Sequence, residues 1–227
     1  MQNRKSTPNL IVMLTQNDLT VYNAYDLFNE CKHLGVKYWG IKEAPLSAAE
    51  IKHIFSLFHQ YGKIAVLESV TYSEEEGLES AKNAAASNCD ILIGTKYYDS
   101  INEICKKNKI KYMPYIGKVY NRPSILDGSS DDLIEESNKY IDKGVYGVNF
   151  LGYRHKNTSD EFIGNILQKL KTNICVAGSI DSFEKLNELI KYSPWGFTIG
   201  NAFFANKFGL GFSQQIERVY SYIDKEG

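Results

Sequence analysis

Glu68 ends the apolar run Ile64-Ala65-Val66-Leu67, and Lys42 follows a second run, Lys37 to Ile41. A carboxylate held at the end of a buried strand, where water is restricted, has its pKa raised towards that of a general base. A neighbouring ammonium can polarise a carbonyl or steady an enolate. Glu68 and Lys42 are therefore the first pair of candidate catalytic residues. Lys118, beyond a third run at Lys111 to Tyr115, is the alternative lysine, and Glu43, Thr95 and Lys96 occupy comparable places. With 22 lysines in the chain most must be solvated, so residue type alone singles out neither Lys42 nor Lys118.

Two glycine-bearing segments supply a second kind of chemistry: Ala177-Gly178-Ser179-Ile180-Asp181 and Ile199-Gly200-Asn201-Ala202-Phe203. A glycine lets backbone N–H groups approach an anion closely, and a short helix from Asn201 would add its positive end. The pair reads as a phosphate cradle around Gly178 and Gly200; the plainer account is two ordinary turn glycines.

Only four arginines occur: Arg4 in the N-terminal tail, Arg218 in the last helical segment, and Arg122 and Arg154 in loops. The planar guanidinium fork suits a carboxylate or phosphate, and Arg154 is the better placed, unless it pairs with a loop carboxylate such as Asp160. Tyr153 beside it can pack on a sugar ring or simply cap the fold. Of the four histidines only His155 falls near a strand end, so no metal site is expected, and Asp18 and Asp181 are a weak signal for magnesium. No cofactor is implied. The four cysteines lack any CxxC pairing and read as small buried hydrophobes.

The elements that must position these groups follow from period. Short apolar or β-branched runs begin near residues 10, 37, 64, 90, 111, 147, 174 and 195, about every 26 residues, each followed by a segment with apolar residues three and four apart. Ser47 with Glu50 and Ser73 with Glu76 mark helix starts. A helix is predicted from Thr20 to Leu34. The stretch Ile116 to Ser130 has no clear period and is predicted as one long loop, with Gly117 to Gly128 as a candidate lid. Eight strand-plus-helix units predict a single α/β domain spanning residues 1–227, a (βα)8 TIM barrel with its phosphate site after strands seven and eight. An open doubly wound sheet competes, but GxGxxG does not follow the first strand and GxxxxGK[ST] is absent.

Composition limits the partners. Hydrophobic residues make up 43% of the chain and charged residues 23%, enough for a sizeable core, which excludes disorder. A net charge of -1 supplies no field for nucleic acid or an anionic membrane. No apolar stretch is long enough for a signal peptide or a membrane span, so a cytoplasmic location is expected. The aromatic cluster Phe203, Phe204, Phe208 and Phe212 is a candidate homodimer face, or else packing beneath the phosphate loop.

At VAGSID and FTIGNAFF the chain resembles the ribulose-phosphate-binding barrel superfamily, which includes phosphoribosyl isomerases and N-acylmannosamine-6-phosphate epimerases. It also looks like a group of bacterial barrel proteins without an established reaction, through KYWGIK, IGTKYYDS and VAGSIDSFEKL. The resemblance covers the whole chain in plan and implies a phosphate held by Gly178, Ser179, Gly200 and Asn201. It does not carry over a reaction. The epimerases place a lysine at the end of strand three and a glutamate beside the glycine after strand seven, where this chain has Glu68 and Ala177-Gly178-Ser179.

Three functions follow as expectations. The first is an isomerase or epimerase on a small phosphorylated sugar, with Glu68 as base, Lys42 or Lys118 assisting, and Arg154 contacting substrate. The second is a class I aldolase or lyase forming an imine on Lys42 or Lys118. The third is a non-catalytic barrel that binds a phosphorylated metabolite.

Overall fold

The computed structural model describes residues 7–226, so Arg4 lies outside the described residues. Eight parallel strands form one sheet: β1 Asn9–Met13, β2 Tyr38–Lys42, β3 Ile64–Ser69, β4 Ile91–Gly94, β5 Lys111–Met113, β6 Gly147–Phe150, β7 Asn173–Val176 and β8 Gly196–Ile199. In the sheet they run β6-β7-β8-β1-β2-β3-β4-β5. The gap between β5 and β6 is crossed by Tyr146 N–H to Tyr112 O (3.0 Å), Asn149 N–H to Pro114 O (2.7 Å) and Ile116 N–H to Asn149 O (3.3 Å). The sheet thus closes into the expected (βα)8 barrel.

The helices are α1 Ala24–Cys31, α2 Ala48–Gln60, α3 Glu74–Ala86, α4 Asp99–Lys107, α5 Ser130–Asp142, α6 Asp160–Lys169, α7 Phe183–Tyr192, the single turn α8 Asn201–Phe204, and α9 Phe212–Glu226. The capping signals act as read: Ser47 and Glu50 form a reciprocal capping box, and Ser73 accepts from the Glu76 N–H. No helix of the described residues is long and apolar enough to cross a membrane.

Strand alternation divides the core into two layers. Leu10 and Val12 face the helices, with Phe28, Trp39 and Phe58 among their cluster, while Ile11 and Met13 face the barrel axis with Val66, Ile91, Ile93, Met113 and Cys175. All four cysteines are buried and unpaired. Of the phenylalanine cluster, Phe203 and Phe208 pack inwards, while Phe204 and Phe212 are half-buried. Phe203 and Phe208 are buried with ring centroids 5.8 Å apart, and Phe204 and Phe212 lie 4.9 Å apart, so these rings support the loop after β8.

Two segments depart from the sequence reading. Thr15–Gln16 and Leu19–Thr20 form a hairpin where helix was predicted from Thr20, so α1 begins only at Ala24. Asn17 and Asp18, at φ 50° and 67°, make its two-residue turn, and their short polar side chains tolerate that conformation. The predicted long loop likewise contains a hairpin, Lys118–Tyr120 paired with Ile125–Asp127.

Candidate active site

Lys42 and Glu68 are register partners at the C-terminal ends of β2 and β3. Strand parity turns both side chains toward the barrel axis, with 8% and 11% of each exposed, and Lys42 Nζ lies 3.6 Å from Glu68 Oε2. Lys42 Nζ also contacts Asp18 Oδ1, because the hairpin turn hangs Asp18 over the end of β2. Thr20 fixes that geometry: its hydroxyl donates to Lys42 O at 2.8 Å and accepts from Lys42 N–H at 2.9 Å. Lys42 therefore has two carboxylate neighbours, of which sequence reasoning paired it only with Glu68. The Asn17-Asp18 dipeptide between β-forming residues was the signal for the second.

The charge of Glu68 reaches across the barrel. Burial, and after it the Glu68 carboxylate, pushes the Tyr115 hydroxyl well above its usual range; the same two causes raise the Cys175 thiol. Arg122, from the second hairpin, joins the network at its edge, 4.0 Å from Asp18 Oδ2 and 3.6 Å from Glu43 Oε1, while donating to Val70 O at 2.6 Å. Burial holds the Glu43 carboxyl above its ordinary value, with Arg122 and Lys42 opposing.

The two glycine loops meet Lys42 and Glu68 in one cavity of about 190 Å³, lined also by Thr15, Arg154, Thr198 and Lys207. This is below the roughly 300–1,000 Å³ of pockets for drug-sized ligands and fits a small metabolite. Gly178 adopts φ +80°, and a Cβ there would stand 2.5 Å from Arg154 Nε, so the absent side chain leaves room for the guanidinium. Arg154 comes from the 3₁₀ turn Gly152–Arg154, and among the described residues its side chain has no ion pair with Asp160 or any other carboxylate. Gly200 is close-packed as well, since a Cβ there would meet Thr15 Oγ1 at 2.5 Å.

Lys185 pins the loop after β7. Its Nζ donates to Ser179 O at 2.6 Å and Asp181 Oδ1 at 2.8 Å, which supports Ser179 at φ 58° and neutralises the nearby carboxylate. Asn201 Oδ1 accepts the Asn17 N–H at 3.2 Å, tying the loop after β8 to the first hairpin. Among the described residues, the backbone N–H groups of Ser179, Ile180 and Asn201 have no protein acceptor, and all three residues line the cavity. With four residues, α8 is too short for a sizeable macrodipole, so the individual N–H groups matter more than the helix end.

Seven of the eight sequence candidates therefore share one cavity: Glu68, Lys42, Gly178, Ser179, Gly200, Asn201 and Arg154. Lys118 is not brought to them. It is exposed on the second hairpin, its Nζ 5.8 Å from the Tyr120 ring, because the chain turns away from the axis after β5. That hairpin docks on the loop after β3, where Tyr72 Oη donates to Asn121 O at 2.7 Å, and contributes no residue to the cavity wall. Tyr153 donates to Glu188 Oε2 at 2.6 Å, and His155 stacks on Phe162 at 4.0 Å, so both serve packing. Asp18 and Asp181, the two weak magnesium candidates, both face lysines.

Comparison with known proteins places the fold without naming a family. No family model matches the sequence, and no curated protein matches it. Solved structures do match over nearly the whole chain. Native KDPGal is 12% identical with a TM-score of 0.70 over 97% of each chain. The N-acetylmannosamine-6-phosphate 2-epimerase from Clostridium perfringens is 12% identical with a TM-score of 0.62, covering 95% of this chain and 93% of its own. Tryptophan synthase from M. tuberculosis is 11% identical with a TM-score of 0.67, covering 96% and 94%. At such identities the likeness is one of architecture: this chain is a (βα)8 TIM barrel.

Proposed function

We propose that the protein is an isomerase or epimerase acting on a small phosphorylated sugar. One observation carries this reading: an axial carboxylate with an ammonium 3.6 Å away opens into the same small cavity as two glycine loops and an unpaired arginine. The phosphate binds at Gly178, Ser179, Gly200 and Asn201 with Arg154 as its cationic partner, which fixes the substrate's orientation. Glu68 then takes the proton next to the carbonyl, and Lys42 stabilises the oxygen on which negative charge develops. The resemblance to the epimerase from Clostridium perfringens supports the choice of chemistry by analogy only.

A Schiff-base lyase on Lys42 is the second reading, favoured by the burial of that lysine in the cavity. Imine formation needs a free neutral amine, whereas Nζ is engaged by Asp18 and Glu68, so proton transfer ranks first.

The test is a panel of phosphorylated ketoses, aldoses and N-acylhexosamines incubated in D2O and followed by proton NMR. Exchange of the proton next to the carbonyl is expected with wild type and should vanish in Glu68→Gln, while inorganic phosphate still raises the melting temperature. Full exchange in Glu68→Gln would remove Glu68 from the mechanism. A borohydride-dependent mass adduct on Lys42 would replace this reading with the lyase. Stabilisation by phosphates without any conversion would leave a binding barrel.

A further inference from the structure

Thr198, near the end of β8, and Thr15, which opens the first hairpin, are each 6% exposed, and both line the cavity. Strand parity gives their direction. Phe197 and Ile199 pack with the helices, so Thr198 faces the axis, in register with the axial Ile11 of β1. Thr15 continues the axial series Ile11 and Met13, and its Oγ1 lies 2.5 Å from where a Cβ on Gly200 would stand.

Other threonine hydroxyls of the fold are paired: Thr20 with Lys42 O at 2.8 Å, Thr95 with Tyr112 Oη at 2.6 Å, and Thr158 with Gly152 O at 2.9 Å. Those of Thr15 and Thr198 have no hydrogen-bond partner among the described residues, and neither oxygen is sealed off as Thr71 Oγ1 is. A hydroxyl without a protein partner gives the fold nothing that valine, of nearly the same shape, would not. Opening into a cavity, it is a donor and an acceptor available to a ligand.

Their place along the wall decides which part of a ligand they meet. The strands run β7-β8-β1-β2-β3 in the sheet, with the glycine loops after β7 and β8 and with Lys42 and Glu68 at the ends of β2 and β3. Thr198 and Thr15 stand between the two. A ligand with its phosphate at the loops and its carbonyl at Glu68 runs its intervening carbons past both hydroxyls.

Building on the proposed proton transfer at Glu68, we infer that Thr15 and Thr198 are substrate-binding residues that hydrogen-bond hydroxyl groups on the carbons between the phosphate and the carbonyl. The substrate class narrows accordingly to polyhydroxylated sugar phosphates, as against deoxy compounds with methylenes at those positions. A threonine hydroxyl donates and accepts at once, so it pairs with a substrate hydroxyl, whereas a methylene leaves it stranded against carbon.

The experiment measures binding by titration calorimetry for inorganic phosphate, D-ribitol 5-phosphate and pentyl phosphate, none of which has a carbonyl to react. Wild type should prefer ribitol 5-phosphate to pentyl phosphate. In Thr15→Val/Thr198→Val that preference should fall at least tenfold while inorganic phosphate binds as in wild type, and Thr15→Ser/Thr198→Ser, which keeps both oxygens, should recover it. Without ligand, Thr15→Val/Thr198→Val and each single change should melt at or above the wild-type temperature, since no protein hydrogen bond is lost. Equal binding of the two esters by wild type, or a preference that survives Thr15→Val/Thr198→Val, would overturn the inference. So would an equal loss in the Thr→Ser pair, which would point to shape, or a clear drop in melting temperature, which would assign the hydroxyls to the fold. Proton exchange with the phosphosugar panel in D2O separates this from the reading beneath it. Exchange lost in Glu68→Gln, with the preference intact in Thr15→Val/Thr198→Val, refutes the two threonines alone. Undiminished exchange in Glu68→Gln, with the preference lost in Thr15→Val/Thr198→Val, refutes the base and leaves the hydroxyl contacts standing.

Discussion

Replacing Gly178 by alanine tests the proposed anion site. The backbone there has φ +80°, and placing an L-residue in that region costs about 1–2 kcal/mol. For a domain of this size 1 kcal/mol corresponds to about 2–4 °C at the midpoint, so Gly178→Ala should melt about 2–8 °C below wild type. The second effect is local. The new methyl would stand 2.5 Å from Arg154 Nε and 2.8 Å from its Cδ, so the guanidinium must leave its place over the loop. Losing a charge-assisted hydrogen bond of about 1.5–3 kcal/mol weakens phosphate binding by about 10- to 150-fold. Thermal melts over a phosphate titration measure both effects at once. Arg154→Ala is the matched control: it should lose comparable affinity while melting close to wild type, because it introduces no backbone strain. If Gly178→Ala melts lower yet binds phosphate as tightly as wild type, the contact between Gly178 and Arg154 belongs to the fold alone.

Other perturbations probe the network around Lys42. Asp18→Asn removes the charge shared by Lys42 and Arg122 and should lower stability by about 1–3 kcal/mol, read from the urea midpoint; an unchanged midpoint would make the contact incidental. Burial raises the Glu43 carboxyl, so the folded state holds this proton more tightly than the unfolded chain. Its contribution to stability therefore declines as pH rises from the ordinary value of 4.5 through the folded value, and Glu43→Gln should flatten that part of a stability–pH curve. Ser159→Ala deletes the hydroxyl that accepts the Phe162 N–H at 3.1 Å and should cost about 1 kcal/mol, checked by thermal melting against Ser159→Asp, which keeps a capping oxygen.

The barrel was legible because its determinants are local. Eight apolar runs, each followed by a helical period, encode strand and helix without reference to distant residues, and Ser47 and Ser73 cap where the spacing indicated. The glycine loops were legible for a similar reason, since the ends of parallel strands must share one mouth. The hairpins were not. Leu19, Val21 and Tyr22 mimic the opening of a helix, and only the left-handed turn at Asn17 and Asp18 distinguishes the two. Lys118 was placed at the mouth because nothing in its neighbourhood marks the hairpin except Val119-Tyr120 and Ile125-Leu126 flanking Asn121-Arg122-Pro123-Ser124.

The hoop of staves is fastened unevenly. Between the fifth and sixth staves only a few main-chain bonds span the join, and Pro114, lacking an N–H, can accept there but never give. Transient parting of the wall should therefore begin along this line, with the amides of Tyr146 and Asn149 trading hydrogen for deuterium sooner than those between the second and third staves. Glu68 and Lys42 sit on that tighter join, so the molecule can loosen on one flank while the spacing of this pair stays fixed.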